Sequence, residues 1–449
     1  MFNTHFLNNF GNNTTVHLLI YSPHITTRLV YITNWIFTGV YKIPYRLTDN
    51  LDRFLQQETP RINYSEENIP GVPQILPCGL LSEKDIRVQS ISFKENGENK
   101  YPFAVGDDLL GFDVFAAAFY FITRYEEYLP HEPDVYGRFT ATSSLIHKMG
   151  MLYRPVADEW LALLKTKLLL PHSEEKNRFT PLFTYDVDTA YAFLGRPSRI
   201  TNGHLIKDFF TGKFNAIRQR MQVLKGINPD PFDTYNDTIA FTRKHKLDTI
   251  FFFLLGNPNK YNRNLPHTHE LQRNLLKKIS AETATGLHPS YYSEKDPALL
   301  QEEKHRMEAI TGQRVVKSRQ HYLRFCFPNT YRQLAAAGIQ EDYSMGFAET
   351  PGFRAGTSFP FYFFDLEQNV TTTLKVFPIT FMEGSFAEDM RMEPEAAYPV
   401  MLQLLEAVKK VNGLFCCIWH NHTLSNFGIW KGWKAIHDRI AQAAATTAS

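Results

Sequence analysis

The chain is poor in cysteine, in net charge and in long apolar runs. Its 449 residues include 4 cysteines, too few for a disulfide framework at this length. Cys416 and Cys417 sit inside an apolar run at 414–419, where buried thiols are expected. The formal net charge is +2, and no dense cluster of Lys and Arg stands out. Neither a nucleic-acid surface nor an acidic tail is therefore expected. No stretch approaches the ~18 consecutive apolar residues of a membrane span. Residues 1–10 carry no basic side chain ahead of an apolar segment, which argues against a secretory signal. The expectation is a cytoplasmic protein.

Aromatic residues are plentiful at 14%, with 36 Phe and 22 Tyr. They suit stacking on sugar rings, and they equally suit large cores. The length allows two or three domains, each with its own core. Residues 1–175 read as a smaller amino-terminal α/β domain, with a strand at 16–21 and helices at 25–37 and 112–128. The polar stretch 172–178 reads as a linker.

From residue 180 to 449 strands and helices alternate. β-rich runs fall at 182–188, 249–256, 284–288, 314–321, 342–345, 374–382 and 414–420. Helical patterns fall at 234–245, 269–280, 299–311, 330–337 and 393–411. Such alternation predicts a parallel sheet, closed into a barrel or doubly wound, with its active site at the carboxyl ends of the strands.

The residues that could carry chemistry cluster at those ends. Asp186 and Asp188 are two apart and project from one face of an extended strand. A divalent cation on one would leave the other free as a base; a turn or cap carboxylate is the plainer role. His288 follows Gly286-Leu287 and offers an imidazole to a metal or to a loop carbonyl. Arg319 and His321 share the same two-residue spacing. Arg319 could orient a carboxylate or make a structural ion pair, and His321 could complete a metal site or touch substrate. His420 closes the last run and could protonate a leaving group, with His422 as its neighbour on the same face. Trp419 could pack in the core or lie against a sugar. Arg354, between Gly352 and Gly356, could grip an anionic sugar substituent or sit in solvent.

Residues 181–425 resemble the NodB-homology polysaccharide deacetylases. Thr184-Tyr185-Asp186-Val187-Asp188 is similar to that family's Thr-Phe-Asp-Asp motif with one residue inserted. Thr311-Gly312 followed by Arg319 is similar to Thr-Gly…Arg-x-Pro-Tyr, and Ile418-Trp419-His420-Asn421 to Leu-x-His-Asp. The resemblance implies a distorted seven-stranded (β/α) barrel that removes acetyl groups from N-acetylated sugars with a divalent metal. It implies Asp186 as general base, Asp188 as metal ligand, Arg319 as the residue orienting Asp186, and His420 as general acid. The family's His-Ser/Thr-x-x-His motif reads His288-Pro289-Ser290-Tyr291-Tyr292 here, so Tyr292 stands in the second ligand position. Tyr292 becomes a candidate substrate contact, and His321 is expected to replace the missing ligand beside Asp188 and His288. The whole chain resembles a subgroup with an amino-terminal domain like residues 1–175.

The mixed nitrogen and oxygen donors make zinc the first expectation, with cobalt or nickel acceptable. The expected partner is a carbohydrate. A non-catalytic glycan-binding protein on the same scaffold is the alternative raised by Tyr292, and an amidase with a non-sugar substrate is a third. Neither the sugar, the oligomeric state nor the role of residues 1–175 follows from the sequence.

Overall fold

Why the chain folds as it does is clearest from its apolar segments. The computed structural model describes residues 18–170 and 177–446. They form two compact units that are not contiguous in sequence. The first gathers the described residues up to Pro130 with those of 155–178 and 355–372; the second gathers 131–154, 179–354 and the chain from Thr373 onward. The units thus exchange two segments across the boundary expected near 175–180. Most of the linker expected at 172–178 lies outside the described residues.

In the first unit β1 (Leu18–Tyr21) lies between β2 (Tyr45–Thr48) and β3 (Arg61–Asn63), all parallel, and β4 (Phe93–Asn96) and β5 (Asn99–Pro102) make an antiparallel hairpin. Helix Val114–Ile122 is apolar on every side and every residue of it is buried, as a helix without a polar face must be. Asp113 caps it, accepting from Ala116 N at 3.0 Å. The helix expected at 112–128 breaks at Arg124, which takes a left-handed φ of 54°. Its guanidinium, fully buried, pairs with Glu126 and Glu127 at 2.7 Å each, and that local ion pair turns the chain into a short 3-10 turn.

Segment 355–372 joins this unit through Asp158 on helix Val156–Lys167. The Asp158 carboxylate accepts from the hydroxyls of Thr357 and Ser358 and from Ser358 N, the last at 2.7 Å. Burial pushes the Asp158 carboxyl up to about 7, against the lowering effect of those donors.

In the second unit β6 (Thr180–Val187), β7 (Asp248–Leu254), β8 (Ala284–His288), β9 (Lys317–Ser318) and β10 (Glu341–Met345) follow one another in space as they do in sequence, all parallel. With β12 (Val370–Pro378), β13 (Phe381–Met382) and β14 (Leu414–His420), and with β11 (Phe361–Asp365) from the segment 355–372 counted in the first unit, the strand order is β11-β12-β10-β9-β8-β7-β6-β14-β13. The sheet is therefore a curled one of nine strands in place of the seven-stranded barrel. The run expected as one strand at 374–382 is interrupted after Pro378. Its first part pairs with β10 and its last two residues with β14. Ile379 N donates to Met345 O at 2.9 Å and Thr380 N to Cys416 O at 2.7 Å, so this bent segment bonds to strands near both ends of the order. β14 lies directly beside β6, with His420 opposite Asp186.

The run expected at 314–321 supplies only the two residues of β9, because the chain turns at His321 into a 3-10 turn. Tyr322 and Leu323 take left-handed φ of 62° and 49° there, conformations that cost on the order of 1 kcal/mol each and need support from their surroundings. Gly286 has a different reason: a Cβ there would stand 2.5 Å from the Phe252 ring and 3.0 Å from Lys317 O. Only glycine lets β8 pass between those neighbours.

Asp158 gives a pH test of the first unit. Its folded carboxyl titrates above the ordinary value of 3.8, so the folded state holds that proton more tightly than the unfolded chain. Its contribution to stability is present below about pH 4 and is lost as pH rises toward 7. Thermal unfolding of wild type and Asp158→Asn across that range is expected to show a steeper fall for wild type; parallel curves would count against the assignment.

Candidate active site

The carboxyl ends of β6, β8 and β14, with the turns after β9 and β13, meet around a cavity of about 630 Å³ in the second unit. Asp186, Asp188, His288, His321, His420 and His422 all line it. Of the residues expected at the site, only Arg319, Arg354, Trp419 and Tyr292 do not.

Asp186 is almost fully buried and is held from behind. Arg319 Nη1 donates to Asp186 Oδ1 at 2.9 Å and to Thr184 Oγ1 at 2.6 Å, while Nε donates to Tyr343 O at 2.9 Å. The guanidinium is wholly buried and lies 4.5 Å over the Phe252 ring. Arg319 thus fixes the direction of Asp186 without reaching the cavity itself.

Asp188 lies among imidazoles. Its oxygens stand 3.2 Å from His288 Nε2, 3.5 Å from His321 Nε2 and 3.6 Å from His420 Nε2. Burial alone would raise the Asp188 carboxyl, but His321 and His288 outweigh it and hold it well below the usual carboxylate range. One donor atom each from Asp188, His288 and His321 lies within 4.8 Å of the others, so these three side chains could hold a metal ion.

The donor chemistry fits such an ion. His288 Nδ1 is 2.6 Å from Arg319 O and donates to it, which fixes the ring and leaves Nε2 facing the two carboxylates. An unprotonated Nε2 and an ionised carboxylate facing each other at 3.2 Å repel unless a cation, proton or metal, lies between them. Asp188 Oδ1 and His321 Nδ1 are buried with no hydrogen-bond partner. Two imidazoles and one carboxylate form a common donor set for zinc and related ions.

His420 is held by a residue that the sequence reading passed over. Glu383, directly after β13 and wholly buried, accepts from His420 N at 2.7 Å, from His420 Nδ1 at 2.8 Å and from Thr423 Oγ1 at 2.8 Å. Burial disfavours the His420 imidazolium, but Glu383, Asp188 and Asp186 outweigh it and push the ring up to about 10. Glu383 follows Met382 at a strand end, the same kind of place that singled out Asp188. That position was the signal available. His422 faces the cavity as a neutral ring, pushed down to about 4 by burial and by His420.

The remaining candidates are elsewhere. Arg354 is 1% exposed; it stacks 4.2 Å over the Phe325 ring and donates to Gly346 O at 3.0 Å. The glycine before it confers no freedom, since Gly352 sits at φ 134° with Leu152 where a Cβ would go. Trp419 is fully buried, edge-on to His437 and Phe381, and serves the core. Tyr292 is 48% exposed, in a tyrosine cluster beside the cavity, edge-on to Tyr291 and Tyr261.

A family described as of unknown function, DUF7033, matches residues 18–171. No curated protein matches the chain. The chain is similar to solved structures of a presumed polysaccharide deacetylase from Mycobacterium smegmatis (14% identity, TM-score 0.40, 62% of this chain and 88% of that one). It is also similar to the polysaccharide deacetylase Bc1974 from Bacillus cereus (12%, 0.29, 60% and 87%). A third is BA3943, a CE4 family pseudoenzyme from Bacillus anthracis (12%, 0.29, 60% and 63%).

If Asp188, His288 and His321 hold a metal, purified protein incubated with zinc and desalted is expected to carry about one ion per chain by elemental analysis. Asp188→Ala and His288→Ala should each lower that content severalfold. Wild-type content unchanged in either variant would place the ion elsewhere.

Proposed function

We propose that this chain is a metal-dependent hydrolase that removes acetyl groups from N-acetylated sugars. The observation that carries the reading is the division of labour around Asp188. A directed carboxylate, Asp186, lies on one side of a candidate three-donor metal site, and a carboxylate-backed imidazole, His420, lies on the other. Each side chain fits one step of amide hydrolysis.

Asp186 is the general base that takes a proton from the attacking water. Arg319 keeps its carboxylate aimed into the cavity and its charge compensated. A zinc ion held by Asp188, His288 and His321 would supply positive charge that polarises the acetyl carbonyl and acidifies water. His420 donates its Nε2 proton to the sugar nitrogen as the C–N bond breaks, so the products are the free amine and acetate. Glu383 is the positioning residue that keeps His420 protonated and fixes its ring. The alternative of a non-catalytic glycan binder was motivated by Tyr292 at a ligand position. His321, whose Nε2 stands 3.5 Å from Asp188, offers the donor that Tyr292 does not.

Acetate release from chito-oligosaccharides by the zinc-loaded protein tests the reading. Asp186→Asn is expected to lower kcat at least ~100-fold while the circular dichroism spectrum and melting temperature stay near wild type. A folded wild-type protein that binds zinc and glycan but releases no acetate would leave the binder.

Glu383→Gln separates proton donation from packing. The His420 ring is protonated below its raised pKa of about 10, and removing the Glu383 charge lowers that value. The alkaline limb of the kcat/KM profile should therefore move to lower pH in the variant. A profile that loses height without moving would make Glu383 purely structural.

A further inference from the structure

Residues 256–265, the loop leaving β7, are stapled by their asparagines. Asn259 Oδ1 accepts from Tyr261 N and Asn262 N at 2.8 and 3.1 Å. Asn262 donates to Asn257 O at 3.2 Å, and Asn264 donates to Gly256 O and Leu265 O at 2.8 and 2.9 Å. Asn262 and Asn264 are buried, whereas Tyr261 and Arg263, which alternate with them, line the cavity. A loop built this way presents its side chains at fixed places, at little further entropic cost on binding.

What it presents is an uncompensated charge. Among the described residues the Arg263 guanidinium has no carboxylate within ion-pair distance and no hydrogen-bond acceptor. Beside it Arg196 donates to Arg263 O at 3.1 Å and to Tyr191 O at 3.3 Å, both neutral carbonyls. The acid that attracts Arg196, Asp230, already accepts from the backbone N–H groups of Ala192, Phe193, Leu194 and Phe232. Burial first, and the charge of Arg263 after it, hold Arg196 below its ordinary value, with Asp230 opposing. Arg263, exposed at the cavity wall, therefore has no ion-pair partner, and Arg196 beside it has only the attraction of Asp230. Arg138, the other arginine of the cavity wall, differs: it pairs with Asp134 at 2.6 Å and donates to Tyr322 O at 3.0 Å.

We infer that the cavity takes an acetamido sugar bearing an anionic substituent, a carboxylate or a phosphate, which Arg263 grips with Arg196 behind it. The inference rests on the deacetylase reading above and adds to it the charge of the substrate. A guanidinium pair suits either anion, since both present planar or tetrahedral oxygens to forked donors. Arg196 also fixes the loop through Arg263 O, so Arg263 is the residue to change.

Calorimetry on the full-length, zinc-loaded protein should compare N-acetylglucosamine, N-acetylmuramic acid and N-acetylglucosamine 6-phosphate. At low salt one anionic sugar is expected to bind roughly tenfold more tightly than the neutral one, a preference that shrinks as salt rises. The anionic arm that shows the preference identifies carboxylate or phosphate. In Arg263→Ala and Arg263→Gln the ratio of anionic to neutral affinity should fall to about twofold or less. Equal affinity for all three sugars, or a preference that survives in both variants, overturns the inference and leaves the deacetylase reading standing. Failure of all three to bind overturns both.

Discussion

Two carboxylates two residues apart at the end of one strand cannot both be left ionised and uncompensated in a buried place. At the ~4 Å scale, unscreened like charges cost several kcal/mol even in a moderately polar interior. The second unit meets that constraint by giving each carboxylate a different cationic or proton-bearing neighbour. Asp186 receives Arg319 from the β9 side, at 2.9 Å, so its compensation is built into the covalent structure. Asp188 is surrounded by imidazoles, whose charge depends on what occupies the space between them. The first arrangement is fixed and the second is exchangeable. That asymmetry makes one residue suited to a base and the other to a ligand.

The same logic explains the placing of His420. Glu383 holds Nδ1 and the backbone N–H of His420 together, so the ring is fixed and its proton retained. Glu383 in turn needs a strand end to stand on, which β13 supplies by pairing with β14 only over Phe381–Met382. The break after Pro378 is thus part of the site: a continuous strand through 374–382 would continue its pairing with β10 and carry Glu383 away from β14.

How much of this was legible depended on how local the signal was. Ala284–His288 and Leu414–His420 read directly from the sequence, because each is a short apolar run ending in a histidine. Strand ends and two-residue spacing marked Asp188, His288 and His321 as candidates, and the family resemblance grouped them as the set that the structure brings within reach of one another. The helix expected at 112–128 failed at Arg124, where a buried ion pair with Glu126 and Glu127 ends the apolar run of 114–122. The exchange of 131–154 and 355–372 between units was invisible for a related reason. For 355–372 it rests on contacts such as those of Asp158 with Thr357 and Ser358, about two hundred positions away, and no periodicity encodes such a contact. Arg354 misled because flanking glycines were read as freedom, whereas Gly352 is glycine because Leu152 occupies the space a side chain would need.

The contrast between Arg354 and Arg263 shows what distinguishes a structural arginine from one available to a ligand. Arg354 spends its charge on aromatic faces and a backbone carbonyl in the interior, where desolvation would make a missing partner costly. Arg263 stands at the cavity wall without an ion-pair partner, on a loop whose backbone is braced by the side chains of Asn259, Asn262 and Asn264. Satisfying a loop internally frees its outward side chains from any duty to the fold. An arginine placed there without an ion-pair partner can meet an anion entering the cavity with no bond of the fold to break, and Arg196 adds positive charge beside it.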